Sequence, residues 1–223
     1  LHSCPTRRSS DLLRAERVAA GLSRLGVAPG ERVAIVLPTS PDFPDAFFGT
    51  LLAGAVPVPL YPPLRLGRMA EYQRRTARML EACGAAVVLT DARIRRFLGE
   101  AIEAAAPPLG CRLVADVAAG RALARAPRSR DLALIQFSSG TTFDPRPVAL
   151  DHAAIVANLA AIDTHLQAAP GGGRQRGVSW LPLYHDMGLI GCLLLAAFHP
   201  GWLTLIPPEL FLARPAIWLR AIA

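Results

Sequence analysis

Short apolar segments typical of β-strands alternate with amphipathic segments typical of α-helices along the first half of the chain. The strand pattern covers residues 32–37, 56–60, 86–90 and 111–115. Helices are expected over residues 11–25, with Asp11 as N-cap, and over 43–54, 67–82 and 91–105. The second strand contains Pro57 and Pro59, so we expect it to be an edge strand or irregular. This alternation predicts an α/β fold with a mainly parallel sheet covered by helices on both faces.

The composition indicates a globular protein in which every basic residue is an arginine. The chain has 223 residues, of which 52% are hydrophobic, and a net charge of +7 with 24 arginines and no lysine. Arginines cluster at residues 65–78 and 93–96 without the regular aromatic interleaving that nucleic-acid grooves use. We interpret these clusters as solvated helix faces and predict no nucleic-acid partner, although the charge would also help to attract a polyanionic ligand.

The cysteines and the apolar runs suggest the compartment. Cys4, Cys83, Cys111 and Cys192 are widely spaced and form no Cys-x-x-Cys motif. This spacing is typical of reduced structural thiols, and it predicts neither disulfides nor a metal site. The apolar run at residues 189–198 is too short to span a bilayer. We therefore predict a cytoplasmic protein without a membrane span.

Residues 132–150 carry the first chemical signal. A strand-like run, 132–137, leads into small hydroxyl residues around a glycine, then an Asp-Pro turn, Arg146 and a returning strand, 148–150. Hydroxyl groups, exposed backbone N–H groups and a glycine that tolerates positive φ are suited to surrounding a phosphate. The candidate phosphate-binding residues are Ser138, Ser139, Gly140, Thr141, Thr142 and Asp144. After the hairpin, Asp151 is expected to cap a helix with an apolar core stripe formed by Ile155, Leu159, Ile162 and Leu166.

This predicted hairpin matches neither of two common catalytic loops. It lacks the Gly-x-x-x-x-Gly-Lys-[Ser/Thr] pattern of the Walker loop. It also lacks a glycine at the required spacing before Ser138 or Ser139, so it is not a nucleophile elbow. From composition alone, an ordinary solvated loop between two strands stays open as the alternative to a phosphate site.

Residues 180–189 carry the second signal, because they place aromatic and polar side chains at a predicted strand-to-helix junction. Trp180, Tyr184, His185 and Asp186 lie at the end of the strand expected over 177–181. Ligands of α/β proteins bind at the carboxyl ends of parallel strands. A metal site or a hydrolase relay is disfavoured, since no third ligand and no nucleophile elbow is visible. The alternative is that His185 is simply a polar group at the start of a helix.

Both signals resemble motifs of the adenylate-forming superfamily, which includes acyl-CoA synthetases, fatty acyl-AMP ligases and peptide-synthetase adenylation domains. Residues 137–142, followed by Asp144-Pro145 and a basic residue, resemble its ATP phosphate-binding loop. Residues 181–189, Leu-Pro-Leu-Tyr-His-Asp-Met-Gly-Leu, resemble its motif beside the substrate carboxylate. Residues 33–41 and 53–63 resemble its N-terminal subdomain, and Pro59-Leu60-Tyr61-Pro62-Pro63 is closest to the fatty acyl-AMP ligase branch. The resemblance extends from Asp11 to Ala223.

Two residues of the phosphate loop depart from the family pattern. The family usually has glycine at the position of Phe143 and lysine at the position of Arg146. Arginine keeps the charge but presents a planar fork in place of a point ammonium. Phe143 restricts the backbone where glycine would not.

The resemblance implies that a carboxylate attacks the α-phosphorus of ATP, giving an acyl-adenylate and pyrophosphate in the presence of Mg²⁺. It implies catalytic roles for His185 and Arg146, phosphate binding by the hydroxyl-rich loop, and a substrate site bordered by Trp180, Tyr184 and His185. The segments Tyr61-Pro62-Pro63 and His185-Asp186 favour a long-chain fatty acid as the substrate. The acceptor is open between coenzyme A, an acyl-carrier-protein thiol and another group.

The resemblance also predicts an incomplete enzyme, with residues 11–223 forming a truncated N-terminal AMP-binding domain. The family's adenine-binding motif, Mg²⁺-linked glutamate, ribose-binding aspartate and C-terminal lid with its catalytic lysine follow the matched region, so no metal ligand is expected here. We expect residues 1–10 to be a non-native or disordered leader, and the chain alone to have little or no adenylation activity. A nucleotide- or phosphate-binding module without catalysis and an arginine-rich nucleic-acid binder are the alternatives.

Overall fold

The computed structural model describes residues 8–63, 66–120, 126–137, 146–167, 176–199 and 201–223. The strands are β1 (Arg32–Val36), β2 (Val56–Leu60), β3 (Ala85–Thr90), β4 (Cys111–Leu113), β5 (Leu132–Phe137), β6 (Pro147–Asp151), β7 (Arg176–Ser179) and β8 (Trp202–Leu205). The helices are α1 (Arg8–Leu25), α2 (Asp42–Leu52), α3 (Met69–Cys83), α4 (Ala92–Arg95), α5 (Gly99–Ala105), α6 (Val114–Val117), α7 (His152–Gln167), α8 (Asp186–Gly188), α9 (Leu195–Phe198), α10 (Pro208–Ala213) and α11 (Ala216–Ile222). A 3₁₀ turn, Leu66–Arg68, precedes α3, and a π-helical turn, Leu189–Leu194, joins α8 to α9.

A four-stranded parallel sheet in the order β2-β1-β3-β4 forms the first part of the fold. Side chains along a strand alternate between the two faces of a sheet. Val33 and Ile35 of β1 pack with α1 and α2, whereas Ala34 and Val36 pack with α3 on the other face. All four side chains are fully buried. The prediction of a parallel sheet covered on both faces is therefore confirmed.

The prolines of β2 explain where this sheet ends. The N–H of Val56 donates to the carbonyl of Glu31, on the β1 side. Because successive N–H groups of a strand point to opposite sides, Pro57 and Pro59 occupy the positions that would donate away from β1. β2 is an edge strand of the hydrogen-bonded sheet, as predicted, but it is regular and fully buried because β5 lies beside it without joining the ladder.

The second part of the fold is a hairpin, two paired strands and several helices. β5 and β6 pair antiparallel, and β7 pairs with β8 in parallel. Asp151, at the end of β6, accepts a hydrogen bond from the N–H of Ala154 at 2.7 Å, so it caps α7 as the sequence predicts. Of the apolar stripe expected on α7, Leu159 is buried, whereas Leu166 is exposed.

Three element predictions differ from the structure. The helix expected over 91–105 is divided into α4 and α5, because the fully buried Leu98 turns into the core and Gly99 begins a new helix. The strand expected over 111–115 ends at Leu113, since α6 begins at Val114. β8 is absent from the sequence prediction, and it forms by pairing with a strand that is distant in sequence.

The start of the chain also differs from the prediction. α1 begins at Arg8, so Asp11 lies inside the first turns of the helix and is not its N-cap. Residues 1–7 lie outside the described part of the chain, and the predicted leader over residues 1–10 stays a prediction.

Arg14 connects α1 to α2 through a buried carboxylate. Its Nε donates to Oδ2 of Asp45 at 2.8 Å, and its Nη2 donates to Oδ1 of Asp11 at 2.8 Å. Burial raises the pKa of Asp45 above its ordinary value, while Arg14 acts in the opposite direction. The ionised form of Asp45 therefore depends on Arg14.

Replacing Arg14 with Met should lower the free energy of unfolding at pH 7 by about 1 kcal/mol, a value reduced because the arginine is partly exposed. The loss should shrink as the pH falls through the raised pKa of Asp45, since a protonated carboxyl needs no cation. Urea unfolding at pH 7 and at a pH near 4.5 measures both values. Arg93→Met, on the exposed side of α4, is the control. An equal loss for Arg14→Met at both pH values would contradict this account.

Candidate functional site

The β5–β6 hairpin holds the two ends of the predicted phosphate loop side by side. Phe137 pairs with Pro147, so the intervening segment, 138–146, starts and ends at one point. The two predicted strands are thereby confirmed as an antiparallel pair, and the predicted turn at Asp144-Pro145 lies outside the described residues. Arg146 is exposed and lies immediately before β6. The other predicted phosphate-binding residues lie outside the described residues, namely Ser138, Ser139, Gly140, Thr141, Thr142 and Asp144, as does Phe143.

The second motif, residues 181–189, is anchored to the first sheet by Leu183. This side chain is fully buried in the core cluster that includes β1 and α2. Its N–H donates to Oγ1 of Thr39, just beyond the carboxyl end of β1, at 3.4 Å. Ser179, at the end of β7, accepts from the N–H of Leu181 at 3.2 Å. These contacts place the motif at the carboxyl end of a parallel strand, where the sequence predicts a ligand site.

A tight turn sets the direction of the next side chains. The N–H of His185 donates to the carbonyl of Pro182 at 3.1 Å, and the N–H of Leu189 donates to the carbonyl of His185 at 2.8 Å. A Cβ atom on Gly188 would overlap the carbonyl oxygen of Pro182. The glycine is therefore required by the close approach of the backbone, and the helix begins directly after His185.

A pocket of about 240 Å³ lies between the hairpin and the second motif. One part of its wall is polar, and the other part is apolar. The polar part comprises Gln136, Tyr184, His185 and Asp186, and the apolar part comprises Phe137, Val148, Leu150 and Ile190. Two stretches that the sequence analysis selected independently therefore border the same space.

The electrostatics of the pocket are set by Tyr184, His185 and Asp186. Burial raises the pKa of the Tyr184 phenol, and the nearby charge of Glu209 raises it further, so this group stays neutral near pH 7. Nδ1 of His185 is in direct contact with Oδ1 of Asp186. The sequence disfavours a metal site at this His-Asp pair, and in the structure the two side chains pair with each other. This contact orients the imidazole ring and leaves Nε2 available.

Trp180 takes part in an aromatic stack outside the pocket. Its ring lies 4.2 Å from the ring of Phe211, nearly parallel, and Trp218 meets Phe211 edge-on at 6.4 Å. Nε1 of Trp218 donates to the carbonyl of Val178 at 3.2 Å. The stack attaches α10 and α11 to β7. Trp180 is not among the residues that line the 240 Å³ pocket, so its predicted contact with substrate stays a prediction.

Gln136 is a pocket residue that the sequence analysis does not select. It lies within the apolar run of β5, only 9% exposed, and its Nε2 donates to the carbonyl of Tyr184 at 3.5 Å. An uncharged polar residue near the end of a buried strand is the signal that could have indicated it.

The rest of the described chain contains no second site that combines a pocket with either motif. A larger, more open groove of about 430 Å³ at the edge of β4 is lined partly by Arg24, Arg95 and Arg112, away from both motifs. Among the residues that the structure describes, no group of three His, Cys, Asp or Glu side chains could hold a metal ion.

Burial raises the pKa of the Cys83 thiol to about 11, as expected of a structural thiol. No helix within the described ranges is long and apolar enough to cross a membrane.

The fold and the pocket define an α/β protein with a candidate ligand site between the β5–β6 hairpin and the second motif. The chain belongs to the AMP-binding enzyme family, whose model matches residues 12–223. The predicted family and fold class are therefore confirmed.

Three relatives illustrate the similarity. The long-chain-fatty-acid–AMP ligase FadD32 of Mycolicibacterium smegmatis is 33% identical over 220 residues, which cover 94% of this chain and 33% of that protein. A structure from a study of fatty acyl-adenylate ligases of E. coli and L. pneumophila is 34% identical, with a TM-score of 0.87 over 96% of this chain and 39% of that one. The fatty acyl-adenylate ligase of L. pneumophila in complex with acyl adenylate and pyrophosphate is 27% identical, with a TM-score of 0.81 over 100% of this chain and 38% of that one. The chain thus spans between a third and two fifths of each relative.

Replacing Gly188 with Ala should lower the free energy of unfolding by about 2 kcal/mol, because the added methyl group collides with backbone that cannot move without breaking the turn. Gly191→Ala is the matched control, since a Cβ there meets no atom within 4 Å. It should leave stability unchanged or slightly raised. Thermal and urea unfolding of both variants measure the difference, and equal effects would show that the crowding at Gly188 is unimportant.

Proposed function

We propose that this chain forms the phosphate- and carboxylate-binding part of an enzyme that activates a carboxylic acid, in particular a fatty acid, as its acyl-adenylate. The observation that carries the proposal is the pocket between the hairpin and the second motif. ATP-dependent activation requires an acid and a triphosphate to meet in one place. The pocket borders both the strands that flank the predicted phosphate loop and a motif with polar side chains for a carboxylate.

The comparisons support the same chemistry. Similar proteins include a long-chain-fatty-acid–AMP ligase, and a fatty acyl-adenylate ligase whose structure holds acyl adenylate together with pyrophosphate. Acyl adenylate and pyrophosphate are the two products of the proposed step.

In the proposed reaction, a carboxylate oxygen of the acid bonds to the α-phosphorus of ATP. The bond between that phosphorus and the oxygen bridging to the β-phosphorus breaks, and pyrophosphate leaves with the electron pair. Both reactants are anions, so cations and N–H donors lower the barrier by reducing their repulsion. Arg146, at the base of the loop, would stabilise the charge on the departing phosphates. The loop residues that would hold these phosphates are Ser138, Ser139, Gly140, Thr141, Thr142 and Asp144.

Tyr184 and His185 would border the substrate carboxylate. Because Asp186 occupies Nδ1 of His185, Nε2 is the nitrogen that would face the ligand. Tyr184 would contribute a neutral hydroxyl or the edge of its ring. The apolar wall formed by Phe137, Val148, Leu150 and Ile190 is compatible with the hydrocarbon part of an acid. Trp180, which directly precedes the second motif, would also border the substrate.

Mg²⁺, when bound, would neutralise part of the charge of the phosphates. The described residues include no cluster suited to a metal ion, so we assign no residue to it. Coenzyme A and an acyl-carrier-protein thiol are both compatible acceptors for the acyl group. Separately, the spacing of the cysteines leads us to propose a cytoplasmic location.

A nucleotide- or phosphate-binding module without catalysis is the second candidate function. The observation that favours it is the replacement of the usual glycine and lysine of the loop by Phe143 and Arg146. Such a module would bind ATP or pyrophosphate without forming an adenylate.

ATP–pyrophosphate exchange with a panel of fatty acids tests the proposal. We expect exchange with protein expressed from the complete reading frame and little or none with the 223-residue chain alone. Calorimetric titration of both proteins with ATP provides the control for binding. ATP binding without exchange in either protein would favour the binding module, and adenylate formation by the 223-residue chain would contradict the prediction that it is inactive alone.

His185→Ala and Arg146→Gln should affect the two substrates differently. We expect His185→Ala to raise the KM for the acid about tenfold and to change the KM for ATP little. Arg146→Gln should lower kcat/KM for ATP by about a hundredfold, because it removes charge beside the phosphates. Steady-state exchange rates measure both, with His165→Ala and Arg93→Gln as controls on exposed helix surfaces. Equal effects of His185→Ala on both substrates would argue against its place beside the carboxylate.

A further inference from the structure

Gln136 is a buried polar side chain in the pocket to which the proposed reaction assigns no role. Ala133, Leu134 and Ile135 precede it in β5, and all three are buried apolar residues. Burying an amide costs free energy unless its hydrogen bonds are replaced, and leucine or methionine would fill the same volume without that cost. The presence of glutamine therefore requires a hydrogen-bonding role.

The location of Gln136 suggests what that role is. It pairs with Val148 across the hairpin and precedes Phe137, the last residue before the phosphate loop. Its Nε2 donates across the pocket to the carbonyl of Tyr184 at 3.5 Å. Because a carbonyl can only accept, the NH₂ side of the amide must face Tyr184.

This hydrogen bond joins the two motifs directly. One end is held by the β5–β6 ladder, and the other end belongs to the turn that Leu183 anchors to the core. At 3.5 Å the bond is at the long limit for an N–H donor, so the two sides can still approach each other. Hydrogen bonds in ligand-free sites often shorten when the ligand binds.

We propose that Gln136 is a positioning residue that sets the distance between the end of β5 and the Tyr184–His185 backbone, so that the acid lies in line with the triphosphate. This inference rests on the proposed acyl-adenylate chemistry. A misplacement of reacting groups by about 1 Å can lower the rate about a hundredfold, so a link of this kind has a measurable effect on the reaction.

Gln136→Met tests the link, because methionine keeps the length and volume of the side chain and removes the amide. Gln73→Met is the matched control, since Gln73 is another partly buried glutamine, on α3 and away from the pocket. In protein from the complete reading frame, we expect Gln136→Met to lower kcat/KM for the acid by between about tenfold and a hundredfold. Gln73→Met should change it less than about twofold.

Gln136→Glu distinguishes the hydrogen-bonding role of this side chain from its role in filling space. An ionised carboxylate would repel the carbonyl of Tyr184, whereas a protonated carboxyl would donate a hydrogen bond to it. Tyr184, His185 and Asp186 line the same pocket and are present in every variant, so the ratio of variant to wild-type activity is the relevant quantity. This ratio should rise as the pH falls from 8 to 5.5 for Gln136→Glu and stay constant for Gln136→Met, because burial brings the carboxyl pKa toward this range.

Hydrogen exchange of the backbone provides a readout that does not require activity. The amides of His185 and Leu189 donate within the turn, so they should exchange faster in Gln136→Met than in the wild type or in Gln73→Met. Equal exchange in both variants, or unchanged kcat/KM for the acid in Gln136→Met, would overturn the proposal. If the wild type forms no adenylate with any acid, the proposed function fails together with the positioning role of Gln136 in the reaction, and faster exchange would then support only a structural link.

Discussion

The candidate site depends on the burial of Leu183. Full burial of a leucine side chain is worth about 2–3 kcal/mol, and here it fixes one residue of a turn against the core that β1 and α2 share. The hydrogen bond from its N–H to Thr39 ties the same residue to the carboxyl end of β1. Tyr184 and His185 follow directly in sequence, so they lie over the end of that strand. The crowded backbone at Gly188 then limits the directions in which the helix can leave.

The hairpin borders the same space because it does not join the parallel sheet. Pro57 and Pro59 remove the N–H groups with which β2 could bond to a further strand. β5 packs beside β2 through side chains, with Ile135 in the core cluster that contains Val58 and Leu60. The polar side chain of Gln136, also on β5, contacts the second motif.

The pocket that results has two chemical halves with different origins. The apolar half is formed by Phe137, Val148 and Leu150 of the hairpin and by Ile190 in the π-helical turn. The polar half comes from the turn after Leu183, where burial raises the pKa of the Tyr184 phenol and Asp186 holds His185. This division fits the proposed substrate, an acid that has a charged end and a hydrocarbon part. π-helical turns occur frequently at functional sites, since they change the register of the side chains that follow.

The α/β alternation, the edge position of β2, the hairpin and the second motif were all predictable from the amino-acid sequence. Each of these is encoded by a local property: the period of apolar residues, the missing N–H of proline, or the turn chemistry of Asp-Pro and glycine. Local patterns also indicated the cap at Asp151, which the structure confirms. They wrongly indicated a cap at Asp11, because α1 already begins at Arg8.

Which of these residues contact one another could not be predicted from the sequence, because it depends on packing. The stacking of Trp180 on Phe211, the pairing of β7 with β8, and the contact of Gln136 with Tyr184 join residues that are distant in sequence. Such contacts depend on how the elements pack. The spacing of apolar residues along the chain does not show which residue a given side chain will contact. The sequence therefore identified two motifs, while packing across the core decided that they border one pocket.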